Sequence, residues 1–139
     1  MVRPLDRLLA DARAGLTRLD PQETWAAIQD GAVLVDIRPE SLRRTDGEIP
    51  GAIVIERNHL EWRLHPESED RIPEAVDADV RWILFCDEGY ASSIAAAALQ
   101  TLGLRHATDL VGGFQAWRHA RLPVVVPETP TVPRMSSRV

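Results

Sequence analysis

The chain is poor in the residues that most often advertise chemistry. It has one cysteine, one tyrosine, two phenylalanines and two methionines in 139 residues. A single cysteine excludes an internal disulfide, and no Cys/His cluster has the spacing of a zinc site. One free thiol suits a reducing cytoplasm, the compartment expected here. Basic charge is also scarce: 16 basic against 21 acidic residues leave a net charge of -5. That excludes a general nucleic-acid surface, which needs a basic face. No apolar run approaches the roughly 18 residues of a membrane span, so no membrane partner is expected. The stretch Met1 to Arg7 lacks the apolar core of a secretory signal and carries Asp6 early. There is no internal repeat. Neither a metal nor a cofactor is expected.

What is present is an ordinary globular composition, 45% hydrophobic and 27% charged, enough for one domain with a real core. Leu5, Leu8, Leu9, Ala12 and Leu16 recur at helical spacing and predict an amphipathic helix ending near Gly15. It packs on the domain or on a second copy, so a homodimer through this helix is one expectation. Leu16 to Leu19 alternates like a short edge strand. Asp20-Pro21-Gln22-Glu23 is a helix start with a capping box, and Gly31 ends that helix. Ala32 to Ile37 and Ala52 to Ile55 read as buried strands. Asn58 is placed to cap a short helix that Pro66 stops, and His59 and His65 are expected at the surface. Ala107 to Val111 is a last strand before Gly112-Gly113 and a helix carrying Phe114 and Trp117. Strands alternating with helices predict an α/β fold. Its sheet is central, mostly parallel and five-stranded, with helices on both faces. The division expected is a helical extension over 1–15, the domain over 16–125 and a flexible tail over 126–139.

One stretch organises the rest. Trp82 to Phe85 is apolar and ends on Cys86. A polar loop with one glycine follows, and then an alanine-rich helix from about Ser92 to Leu102. Strand, cysteine, tight loop and helix place a thiol beside the first N–H groups of a helix. Those groups lack intrahelical partners and carry the positive end of the dipole. They stabilise a thiolate, the nucleophilic form. Asp36 and Arg38 end a parallel strand on the side where open α/β sheets bind ligands. Their simpler role is local: Asp36 holds the following loop and Arg38 pairs with an acid. Arg57 and Arg63 follow the next strand and are further candidates for the site's periphery.

Four motifs now coincide. Val35-Asp36-Ile37-Arg38, Gly47-Glu48-Ile49-Pro50-Gly51-Ala52, Cys86-Asp87-Glu88-Gly89-Tyr90-Ala91-Ser92 and Gly112-Gly113-Phe114 with Trp117 and Leu122-Pro123-Val124 stand in order. Together they resemble the single-domain rhodanese family over about residues 16 to 125. The resemblance implies a sulfurtransferase in which Cys86 takes sulfane sulfur from thiosulfate or a persulfide. Cys86 would hold that sulfur as a persulfide and pass it to a thiol or cyanide-like acceptor, with a protein persulfide as one potential partner. It implies that Asp87, Glu88, Gly89, Tyr90, Ala91 and Ser92 form the substrate loop, their backbone N–H groups cradling the sulfur. Ser92 would cap the helix or donate its hydroxyl to the persulfide.

The chain departs from the family pattern in the loop. Ala91 stands where many members carry arginine, and Asp87 and Glu88 add negative charge. Two carboxylates work against a thiolate and repel a dianion, which favours less charged donors. Arg38, Arg57 or Arg63 could supply the missing cation. A weakly catalytic binding or redox-sensing module is the alternative. A phosphatase or arsenate reductase is disfavoured, because Ser92 stands where Cys-x5-Arg chemistry needs its guanidinium.

Overall fold

The computed structural model describes residues 3–126. Met1, Val2 and residues 127–139 lie outside the described residues, so the expected tail is not addressed beyond Val126. The first helix, α1 (Pro4–Ala14), starts on a proline and closes at Gly15. Helix α2 (Pro21–Gln29) opens with the expected capping box: Glu23 N–H donates to Asp20, and Asp20 N–H donates to Glu23. The remaining helices are α3 (Glu40–Asp46), α4 (Leu60–Leu64), α5 (Ala91–Thr101) and α6 (Gly113–His119). A single 3-10 turn, Arg57–His59, leads into α4. Asn58 lies inside that turn and does not cap a helix.

Four strands, β1 (Val33–Asp36), β2 (Ile53–Val54), β3 (Trp82–Phe85) and β4 (Thr108–Asp109), form one sheet in the order β2-β1-β3-β4. Every pairing is parallel, with Asp36 opposite Phe85 and Leu84 opposite Asp109. Side chains of β3 alternate between two covered faces. Leu84 packs with Leu60, Leu64, Ala95, Ala96 and Leu99 on one face. Ile83 and Phe85 pack with Leu110, Phe114 and Trp117 on the other. Burying each such large apolar side chain contributes about 1.5–3 kcal/mol. Small residues on α5, Ala95 and Ala96, are fully buried, so the helix backbone approaches the sheet closely.

The expected fifth strand shrinks to one bridge. Leu19 pairs with Leu110 through Leu19 N–H to Asp109 O and Val111 N–H to Leu19 O. Thr17 O accepts from the Thr108 hydroxyl rather than from a backbone amide, and the Arg18 side chain turns onto Asp109. Asp20 already caps α2, so the segment has no residues left to extend a ladder. The strand expected at Ala52 to Ile55 is an edge, not a buried strand: Val54 is 40% exposed. Helix α1 lies along α5. Leu5 and Leu8 stay outside this contact, 73% and 54% exposed. Among the described residues no helix is long and apolar enough to cross a membrane.

Candidate active site

Cys86 follows β3 directly, and α5 starts at Ala91. The intervening loop resolves one geometric question: where its backbone polar groups go. The carbonyls go outward. Cys86 O accepts from Phe114 N–H at 2.9 Å and Asp87 O from Gln115 N–H at 3.1 Å, both at the start of α6. Gly89 O accepts from Arg13 Nη2 at 2.8 Å and Arg18 Nη2 at 3.0 Å. The amides go inward. Gly89 N–H and Ser92 N–H donate to Cys86 Sγ at 3.2 and 3.3 Å. The N–H groups of Glu88, Tyr90 and Ala91 take no partner among the described residues. Gly89 makes this bend with φ of +90°, and a Cβ there would stand 2.8 Å from Gly112 N. No other residue fits that position.

Behind the sulfur is a polar network. Cys86 Sγ–H donates to Ser92 Oγ at 3.4 Å, and Ser92 Oγ–H donates to Asp109 Oδ2 at 2.7 Å. Ser93 Oγ–H donates to the same oxygen at 2.8 Å. Arg18 meets both Asp109 oxygens, from Nε at 2.8 Å and from Nη2 at 3.2 Å. Asp109 is fully buried, while the Arg18 side chain keeps 17% of its surface in water. Arg13 Nε donates to Ser93 Oγ at 3.0 Å. The Ser92 hydroxyl therefore neither caps α5 nor donates to sulfur. Its one proton is committed to Asp109.

The other expected residues divide. Asp87 turns its carboxylate to the Gln115 amide at 2.9 Å, whereas Glu88, Tyr90 and Ala91 are exposed. Asp36 and Arg38 form a wholly buried pair at 2.8 Å. Asp36 also accepts from Arg38 N–H, and Arg38 donates to Gly47 O at 2.9 Å and lies 4.0 Å over the Phe114 ring. Their role is the local one, bracing the loop after β1 and the turn at Gly47. Arg57 pairs with Glu61 at 3.0 Å. With Ile37, Arg38 and Pro39 it lines a cavity of about 500 Å³ beyond the carboxyl ends of β1 and β2. Arg63 is not brought to this place. It holds Asp70 O at 2.8 Å and lines a different cavity. Among the described residues no group of three His, Cys, Asp or Glu side chains is arranged to hold a metal ion.

Sequence reasoning missed Arg13, Arg18, Ser93 and Asp109. Only Asp109 left a signal, an acid within a stretch read as a short strand. Arg13 looked like the polar face of a helix, and nothing local marks it.

A parallel α/β sheet that ends its central strand on a thiol, with two loop amides on the sulfur, defines a class: an α/β domain that presents one cysteine in a loop at the start of a helix. The family follows from comparison. The model of the rhodanese-like domain matches residues 20–120, and the chain belongs to that family. Thiosulfate sulfurtransferase GlpE of Haemophilus influenzae is 31% identical over 106 residues, covering 76% of this chain and 91% of the relative. GlpE of Stutzerimonas stutzeri is 36% identical over 103 residues, 73% and 84% of the two chains. A solved structure from Rhodopseudomonas palustris, a protein of unknown function described as a possible tyrosine phosphatase, superposes with a TM-score of 0.78. It is 31% identical and covers 89% of this chain and 96% of its own.

Proposed function

We propose that the protein moves sulfane sulfur from a donor to a thiophilic acceptor through a persulfide on Cys86. The observation that carries this reading is the pair of loop amides, Gly89 N–H and Ser92 N–H, that donate to Cys86 Sγ. The thiolate attacks the outer sulfur of thiosulfate or of a persulfide. The donor's S–S bond breaks, and its electron pair leaves on sulfite or on a thiolate. The new S–S bond carries its negative charge on the terminal sulfur, where free loop amides offer donors to an anion. A thiolate or cyanide acceptor then attacks that terminal sulfur and releases the Cys86 thiolate. The relatives named thiosulfate sulfurtransferase support the same chemistry.

A small thiol, a cyanide-like nucleophile or a protein thiol would serve as acceptor. The phosphatase description of the R. palustris structure does not carry over. Arg13 and Arg18 grip the outside of the loop at Gly89 O, so neither guanidinium stands inside to clamp a phosphoryl group. The second reading, a binding or redox-sensing module, is favoured by one observation. The Ser92 hydroxyl spends its proton on Asp109 and offers sulfur only a lone pair.

Intact mass after incubation with thiosulfate and with a small-thiol persulfide, side by side, tests the reading. Wild type should gain one sulfur atom and Cys86→Ala none. No mass gain of wild type over its own untreated mass with either donor would sink the sulfurtransferase reading and leave the binding module.

A further inference from the structure

We propose that Arg13 and Arg18 are positioning residues of the Cys86 loop, which makes α1 a working part of the sulfur-transfer apparatus. The activity consequence rests on the sulfurtransferase reading above. The geometric consequence stands on the contacts alone.

Two guanidinium groups converge on one carbonyl. Gly89 O accepts from Arg13 at 2.8 Å and from Arg18 at 3.0 Å, and the Ser93 hydroxyl stands farther off at 3.3 Å. Each arginine is tied at a second point. Arg13 Nε is held on Ser93 Oγ of α5, and its guanidinium lies 5.8 Å from the Tyr90 ring. Arg18 is held by both oxygens of the buried Asp109 on β4. The grip on Gly89 is thus referred to the helix and the sheet that carry the site.

The peptide plane turns this grip into an effect at sulfur. In a trans peptide the C=O of one residue and the N–H of the next point in opposite directions. With Gly89 C=O pulled outward, the Tyr90 N–H is turned inward, toward the side on which Gly89 N–H and Ser92 N–H already reach Cys86 Sγ. Without the grip, the Gly89–Tyr90 peptide keeps only the longer Ser93 hydroxyl contact, and glycine imposes little of its own. The Tyr90 N–H would then be lost as a donor to an anion on that side.

The charges point the same way. The loop carries Asp87 and Glu88 and has Ala91 where the family commonly has arginine. Arg13 and Arg18 against Asp109 leave one net positive charge on the loop's outer face. Every basic residue of the chain is an arginine, none a lysine. Only a guanidinium can hold a carbonyl and a second acceptor at once in a fixed fork. Both arginines precede residues 20–120, the span matched by the family model. Their partners Gly89, Ser93 and Asp109 lie inside that span.

The test compares full-length wild type, Arg13→Ala and Arg13→Lys, with Arg7→Ala as a control on the same helix. Three quantities are read: the rate of Cys86 alkylation by iodoacetamide across pH, the rate of sulfur loading by mass, and Tm. Loss of a charge-assisted bond to the loop should slow both reactions of Arg13→Ala about tenfold or more at neutral pH. The pH of half-maximal alkylation should rise. Arg13→Lys, which keeps the charge without the fork, should fall between, and Arg7→Ala should match wild type. Alkylation of Arg13→Ala within twofold of wild type, with an unmoved pH profile, overturns the proposal. Where Arg13→Ala loses α1, judged by Tm, the lysine variant decides by the same criterion. If wild type takes sulfur from neither donor, the sulfurtransferase reading fails while the alkylation comparison still settles the positioning role.

Discussion

Consider a methyl group added at Gly113. This glycine opens α6 with φ of +60°. A Cβ there would stand 2.6 Å from Cys86 O and 2.7 Å from the carbonyl carbon and oxygen of Asp87. Ordinary contacts between such atoms lie near 3.5 Å, so the Cys86–Asp87 backbone must retreat by roughly 0.5–1 Å. These are backbone atoms, and no side chain can swing away to make room. The left-handed backbone costs about 1–2 kcal/mol for a residue with a Cβ, and overpacking adds roughly 1–3 kcal/mol. At about 3 °C per kcal/mol for a domain of this size, Tm should fall by about 6–15 °C.

The sharper effect is chemical. A displacement approaching 1 Å at a reacting group costs on the order of 100-fold in rate. Gly113→Ala should therefore load sulfur, and react with iodoacetamide, far more slowly than wild type at temperatures where it is fully folded. Gly103→Ala isolates the backbone strain, since Gly103 has φ of +90° and a Cβ there would meet nothing within 4 Å. It should lose roughly 3–6 °C in Tm and keep wild-type Cys86 reactivity. Equal Cys86 reactivity in the two alanine variants would refute the reasoning, because it would mean that the loop moves without consequence or that α6 yields instead.

Three further perturbations separate residues that looked alike in sequence. Arg38→Met leaves Asp36 buried without its partner, and denaturant midpoints should report a loss of about 3–5 kcal/mol, as for other broken buried pairs. Arg63→Ala should load sulfur within twofold of wild type and stay within about 0.5 kcal/mol in stability, since its bond is to Asp70 O on an exposed face. Glu88→Gln should raise the loading rate with thiosulfate a few-fold at low salt, and much less at about 1 M salt where exposed charges are screened. An unchanged rate at low salt would show that Glu88 does not face the donor.

The Cys86 loop was legible because its signals are local. An apolar run, a cysteine, one glycine and an alanine-rich stretch suffice to place a thiol at a helix start, and the capping box at Asp20 and Glu23 is local as well. The missing strand was misread because Leu16 to Leu19 does alternate. Pattern alone does not show that Thr108 takes the Thr17 carbonyl and that Arg18 leaves the ladder for Asp109. The same limit hid Arg13. Its partners, Gly89 and Ser93, lie more than 70 positions away. A helix periodicity reports that a residue sits on the polar face and nothing about what that face meets. Arg38 illustrates the opposite case: pairing with an acid was readable, the acid proves to be Asp36 two residues back, and that pairing removes Arg38 as a free cation.

The acidic loop, which from sequence alone argued against an anionic donor, reads differently once its surroundings are fixed. Asp87 is not aimed at the sulfur. Its carboxylate is turned to Gln115, whose amide also reaches Asp46. Glu88 is exposed, where water weakens its field severalfold relative to a buried charge. Against these stand two guanidinium groups on Gly89 O and the Gly89 and Ser92 amides on Cys86 Sγ, in a loop braced from outside by α6, Arg13 and Arg18. Fixed dipoles at about 3 Å act at shorter range and lower dielectric than an exposed carboxylate, so they dominate at the sulfur itself. The carboxylates act instead on the approach of the donor. The expected division is in the kinetics: Glu88 governs how a dianion such as thiosulfate arrives, and the braced loop governs how readily Cys86 attacks once it has. Donors of lower charge meet only the second barrier.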